Sequence, residues 1–128
     1  IITNARIAVY GTLRRGGPAN GFLLGAKYLG QDKIKGTIYN LGAFPGLVLD
    51  DGGEVIVDLY ELPADDNGSM LQEVDIYEGY YPTDKSRCLY HRRNVTTLEG
   101  CLEVMAYEYA HEVDNKWVVK SGDWFNPS

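Results

Sequence analysis

Turn-forming residues interrupt this chain so often that most of its segments are free to be little other than short strands. Fifteen Gly and five Pro are spread over 128 residues, and many fall directly after runs of β-branched and aromatic residues. Arg6 to Tyr10 is such a run and stops at Gly11. Ile34 to Leu41 reads as a second strand, closed by Gly42 and Pro45, and Leu47 to Leu49 as a third, ending at the turn signal Asp50-Asp51-Gly52-Gly53. Val55, Val57 and Leu59 alternate with Ile56, Asp58 and Tyr60, as in a strand with two different faces. Tyr90 to Leu98 and Leu102 to Ala110 read as a hairpin around Glu99-Gly100, whereas Arg14 to Asn20 fits neither periodicity.

One segment escapes this pattern. Asp66-Asn67-Gly68-Ser69 supplies N-cap oxygens, and Met70 to Glu78 follows before Gly79. At roughly 100° per residue, with Met70 at zero, Val74 falls near ~40°, Leu71 near ~100° and Tyr77 near ~340°, an apolar stripe that contains Glu78 near ~80°. Asp75 lies just off its edge, while Gln72, Glu73 and Ile76 point elsewhere. A carboxylate on a core-facing stripe is costly unless it is paired or used. Two structural readings compete with a functional one: the helix frays before Glu78, or Glu78 pairs with Arg92 or Lys85. Short strands with one helix predict an α+β fold. The expected form is a single domain over residues 1–128, with a mixed, strongly curved sheet or small β-barrel and one or more flanking helices.

Charge and composition narrow the function classes. The formal net charge is −6, with a pI near 4.8 and a mean hydropathy of −0.26. An acidic surface repels phosphate backbones, so nucleic acid is not expected as a partner. No apolar run approaches the roughly 20 residues of a membrane span. Ile1 to Tyr10 lacks the basic stretch and long apolar block of a secretory signal, and a cytoplasmic setting is expected. Without an initial Met, the chain is read as trimmed. Cys88 and Cys101 are expected to be free thiols rather than a cross-strand pair. His91 and His111 are far apart and show no ligand spacing, so no metal is expected. Nothing in the sequence speaks to oligomeric state.

Tyr10-Gly11-Thr12-Leu13 follows directly on a strand, where a turn at Gly can leave several N–H groups pointing one way as an anion-binding nest. It is not a phosphate-binding P-loop, since no Gly-Lys-Ser or Gly-Lys-Thr follows. Tyr90 and Arg92 stand at strand spacing on one face. Gly42-Ala43-Phe44-Pro45-Gly46 is a rigid turn able to wall a pocket. Cys88 near His91 suggests a nucleophile and base only by adjacency, which is not geometry.

In combination and in order, these segments resemble the γ-glutamylcyclotransferase-like family. Tyr10-Gly11-Thr12-Leu13-Arg14-Arg15-Gly16 is similar to the Tyr-Gly-Ser/Thr-Leu signature that opens such proteins. Gly17, Pro18 and Asn20 are most similar to the γ-glutamylamine cyclotransferase branch. Gly36-Thr37-Ile38-Tyr39 and Gly42-Ala43-Phe44-Pro45-Gly46 resemble the second strand and its turn. Asp75-Ile76-Tyr77-Glu78-Gly79 resembles the segment with the catalytic Glu, Tyr90-His91-Arg92-Arg93-Asn94-Val95 a Tyr-x-Arg-x-x-Val strand, and Ser121-Gly122-Asp123-Trp124 the closing Gly-Asp-Trp. One strand departs: Val57-Asp58-Leu59-Tyr60 stands where the pattern is Gly-Glu-Leu-Tyr, and Val57 is expected to fill space near the pocket.

The resemblance implies a cofactor-free cyclotransferase that releases 5-oxoproline and an amine from a γ-glutamyl amide, with Glu78 as general base and acid. It implies that the Tyr10, Gly11, Thr12 and Leu13 backbone holds the glutamyl α-carboxylate, while Tyr90 and Tyr109 line the pocket or donate to the developing oxyanion. A γ-glutamyl group on a simple amine or lysine side chain is expected to be preferred to glutathione. Other readings on the same scaffold are a non-catalytic binding module, an interaction domain, and a tailoring enzyme that removes a γ-glutamyl protecting group.

Overall fold

A computed structural model describes residues 5–64 and 67–127. Among these residues, seven strands form one sheet: β1 (Arg6–Val9), β2 (Lys27–Lys35), β3 (Thr37–Asn40), β4 (Pro45–Val48), β5 (Glu54–Glu61), β6 (Tyr90–Thr96) and β7 (Glu103–Tyr109). The α-helix among the described residues is α1 (Ser69–Glu78). The order along the sheet is β2-β5-β1-β7-β4-β3, with β6 also paired to β7. The sheet is mixed, since β1 runs antiparallel to β5 and parallel to β7. Antiparallel β6 occupies one edge of β7 from Glu103 to Tyr109. The other edge of β7 is therefore shared, by β1 at Met105 and by β4 at Glu108. β2 and β3 end the strand path, so the sheet stays open and the barrel alternative does not hold.

Alternation along the central strands builds a core on each face. Ala8, Val55, Val57, Leu59, Val104 and Ala106 pack together on one side with Ile34, Ile38 and Leu47. On the other, Ile7, Val9, Tyr60 and Tyr107 pack with Leu13, Leu23, Leu62, Tyr90 and Val74 of α1. Both faces of β5 are consequently covered, and Asp58 is buried rather than solvated.

Three expectations need correction. The strand drawn over Ile34 to Leu41 is two strands separated by Gly36, whose missing side chain leaves room for the Val48 carbonyl; a Cβ there would lie 2.8 Å from that oxygen. Most of β2 went unread because it is an edge strand rich in Lys and polar residues, with an irregularity near Gly30. Lastly, Asp66 lies outside the described residues, and the N-cap of α1 is Gly68 in the left-handed region (φ 77°), with no side-chain cap bond. The C-terminal stop is as read: Gly79 adopts φ 68° and donates to the carbonyls of Asp75 and Ile76.

Candidate active site

The last turn of α1 packs over the end of β1, and a cavity of about 180 Å3 opens between them. Its wall is formed by Ala8 to Leu13, by Phe44 and Pro45 of the turn entering β4, by Tyr77 and Glu78 of α1, and by Leu89, Tyr90 and Tyr107. Helix periodicity brings Glu78 here, one turn beyond the buried Val74. Burial, and then the nearby Asp75 carboxylate, push the Glu78 carboxyl up to about 7. Among the described residues no group donates to that carboxyl or forms an ion pair with it. Arg92 pairs instead with Asp75, at 2.5 Å, and Lys85 does not reach the cavity.

Asp75 is held on both oxygens. Oδ2 takes the Arg92 guanidinium and Oδ1 accepts the Tyr107 hydroxyl at 2.6 Å. Arg92 and Tyr107 are direct partners in the β6–β7 register, so the hairpin delivers both to one helix residue. The helical stripe puts Asp75 at its edge and carries no signal for Tyr107. The hairpin register, which sets Tyr107 opposite Arg92, was the available signal.

The loop after β1 supplies the other wall. Among the described residues, no acceptor takes the N–H groups of Gly11, Thr12 or Leu13. Gly11 fits where a side chain cannot, because a Cβ there would come within 2.6 Å of the Pro45 ring. Two features hold the loop in shape. The Thr12 carbonyl accepts from Ala19 N–H at 2.9 Å. Behind it, buried Arg14 donates to Asp58 at 3.2 Å and to Asp123 at 2.6 Å, and Asp58 also accepts from Arg15 N–H at 3.0 Å. Phe125 caps the Arg14 guanidinium, 4.3 Å from ring centroid to Cζ. Asp58, the departure from the resembled pattern, is thus an anchor of this loop. Its neighbour Val57 is buried in the opposite core and does not line the cavity, contrary to the expectation that it narrows the pocket.

The tyrosines divide in a way the sequence could not show. Tyr10 lines the cavity, but its hydroxyl bridges strands, donating to Tyr107 O at 2.6 Å and accepting from Leu47 N–H at 3.1 Å. Tyr90 also lines the cavity, yet its proton is committed to Pro45 O at 2.6 Å, which removes it as an oxyanion donor. Burial pushes both phenols above their ordinary range, and Glu78 adds to this. Tyr109 is not in the wall. It packs edge-on behind Tyr90 at 5.5 Å, a supporting contact. Cys88 is buried and free, accepting from Tyr81 N–H and donating to Tyr81 O, so it is no nucleophile partner for His91. Cys101 is free and exposed. Among the described residues no cluster of His, Cys, Asp and Glu could hold a metal ion, and no helix is long and apolar enough to cross a membrane.

The chain is similar to known proteins both in sequence and in shape. A curated relative from Pyrococcus horikoshii is 39% identical over 77 residues, 60% of this chain and 65%, just under two thirds, of its own length. One from Vibrio cholerae is 32% identical over 120 residues, 92% of this chain and 93% of its own. Both carry the name "Putative gamma-glutamylcyclotransferase". The Pyrococcus crystal structure superposes with a TM-score of 0.71 at 29% identity, covering 94% of this chain and 89% of that one. An AIG2-like protein from Mus musculus gives 0.69 at 26% identity, over 91% of this chain and 83% of that one. The family model described as "Gamma-glutamyl cyclotransferase, AIG2-like" matches residues 7–126, from β1 to beyond Asp123, so the Arg14 anchor, the loop and Glu78 all fall inside it, and the chain belongs to that family.

Proposed function

We propose that this chain cleaves a γ-glutamyl amide by intramolecular attack of the α-amine on the γ-carbonyl, releasing 5-oxoproline and an amine. One observation carries the reading: a carboxyl pushed up to about 7 shares a small cavity with N–H groups that no acceptor among the described residues uses. The substrate's α-ammonium cannot attack until it loses a proton. A carboxylate poised near neutrality is basic enough to take that proton, and once protonated it is acidic enough to pass it on. The freed nitrogen forms the lactam C–N bond and the carbonyl electron pair moves to oxygen. That pair returns as the amide C–N bond breaks. In all, the attacking nitrogen gives up two protons and the leaving nitrogen gains two, so Glu78 acts as a relay and no water or cofactor is consumed.

The N–H groups of Gly11 to Leu13 receive the glutamyl α-carboxylate and so fix the amine against the γ-carbon. Orientation of this kind is a large share of the advantage of an intramolecular reaction. Tyr90 shapes the cavity and offers ring surface, its proton being committed to Pro45. The preference for a simple amine or lysine side chain over glutathione rests on the resemblance of Arg14 to Asn20. That stretch lies outside the cavity wall, with Arg14 tied to Asp58 and Asp123.

The test is incubation with a panel of γ-glutamyl amines and dipeptides while 5-oxoproline is measured. Formation of 5-oxoproline from at least one member is expected. Release of glutamate in its place would make the protein a hydrolase, and binding without turnover would make it a sensor.

A further inference from the structure

Among the described residues, the cavity wall carries no Lys, Arg or His. The two arginines anchored beside it are spent, Arg14 on Asp58 and Asp123, Arg92 on Asp75. Three of the four tyrosines in the wall donate their hydroxyls to protein acceptors, Tyr10 to Tyr107 O, Tyr90 to Pro45 O and Tyr107 to Asp75, and the Tyr77 hydroxyl shares a hydrogen bond of 2.9 Å with the Thr12 hydroxyl, in which either group can donate. What they present to a ligand is ring surface. With Phe44, Pro45 and Leu89 they make the remainder of the wall apolar.

The apolar surface continues outward. Tyr77 is 41% exposed and packs on Phe22, also 41% exposed, with ring centroids 4.7 Å apart. Leu89, a wall residue, is 36% exposed. Phe22 also lines a second, mostly apolar groove with Pro18, Ala19, Leu24 and Met70, in which Glu73 is the charged member. The Phe22–Tyr77 contact therefore joins the cavity wall to this groove and makes an outward path of mostly apolar surface.

We propose that this path receives the leaving group, and that the preferred leaving group is an uncharged, ring-bearing or branched apolar amine rather than the amine of an amino acid. The inference rests on the cyclotransferase reading of the site. Its physical basis is asymmetric. An apolar amine gains from burial against these rings. A carboxylate on the leaving group would lose its water and meet no cation in the wall, close to Glu78. The same penalty applies to the amino-acid end of a γ-glutamyl-lysine isopeptide unless that end clears the groove.

The experiment compares kcat/KM for 5-oxoproline formation from four amides: γ-glutamyl-phenethylamide, γ-glutamyl-phenylalanine, γ-glutamyl-methylamide and the γ-glutamyl-lysine isopeptide. The first two differ only by a carboxylate, and the first and third only by the apolar group. The phenethylamide is expected to exceed each of the others by at least about tenfold, the scale on which pockets discriminate. Phe22→Ser, a surface change whose folding is checked by circular dichroism, should lower the phenethylamide value more than the methylamide value. Equal values for phenethylamide and phenylalanine, or for phenethylamide and methylamide, would overturn the inference while leaving the cyclotransferase intact. So would indifference of all four to Phe22→Ser coupled with a change in oligomeric state, which would assign the rim to a second copy of the chain. No 5-oxoproline from any of the four would overturn the cyclotransferase reading and this inference with it.

Discussion

Glu78→Gln should make the protein more stable in alkali and leave its stability in acid unchanged. The carboxyl sits at about 7 in the folded protein against an ordinary 4.5, chiefly because burial disfavours its charge. Below 4.5 both folded and unfolded chains hold the proton, and the group has no effect on the balance. As pH rises from 4.5 towards 7 the unfolded chain releases the proton while the folded chain keeps it, and stability falls. Above 7 both are ionised and the full penalty stands. The interval of about 2.5 pH units, at about 1.4 kcal/mol each, sets that penalty at about 3.5 kcal/mol. This is a ceiling, since the side chain partly reaches solvent. Gln keeps the shape and removes the charge, so the variant should recover most of it. Urea unfolding followed by the fluorescence of Trp117 and Trp124 would show this. At a slope of about 2 kcal/mol per M, the midpoint should rise by about 1 to 1.5 M at pH 8.5 and stay unmoved at pH 4.5. A difference between the proteins that is the same at both pH values, or a loss of stability at pH 8.5, would refute the reasoning and make Glu78 a satisfied structural group.

Three further substitutions probe the frame around it. Gly11→Ala would drive a methyl into the Pro45 ring, and a loss of about 1–3 kcal/mol in thermal unfolding, with a raised KM, is expected. Asp58→Asn breaks a buried pair and should cost about 3 kcal/mol; a loop role predicts that KM rises more than kcat falls, and that Asp58→Glu recovers part of the KM. Tyr90→Phe leaves the Pro45 carbonyl without its donor, at a cost of about 1–3 kcal/mol. Because that proton is already committed, kcat should fall by less than about tenfold.

Local signals in the sequence located most of the frame. Gly11, Gly79 and the Glu99-Gly100 turn mark real boundaries because each answers a local backbone demand: close approach to Pro45, a left-handed helix stop, a hairpin. The helical angle of Glu78 placed it towards the core, and that is where burial raises its pKa. Contacts made across the fold were not legible. Val57, expected to fill space near the pocket, packs in the other core, because a strand with both faces buried carries no polarity signal for which side is which. Arg14, Asp58 and Asp123 are 44 and 65 residues apart in succession, and only the sheet brings them together. Tyr90 and Tyr109, alike as sequence candidates, differ because one reaches the cavity and the other stands behind it. The edge strand β2 escaped notice since its Lys-rich surface lacks the apolar alternation of a central strand.

The central claim is that Glu78 moves the proton that permits ring closure. The most direct measurement is kcat/KM for 5-oxoproline formation against pH, from one γ-glutamyl amide that the protein turns over, for the native chain and for Glu78→Gln. Since the base must be ionised, the native profile should rise through about 7 as Glu78 loses its proton. The folded variant should be slower by about 10²–10⁴-fold and lose that rise. Near-normal turnover by Glu78→Gln, with the same pH dependence, would contradict the account.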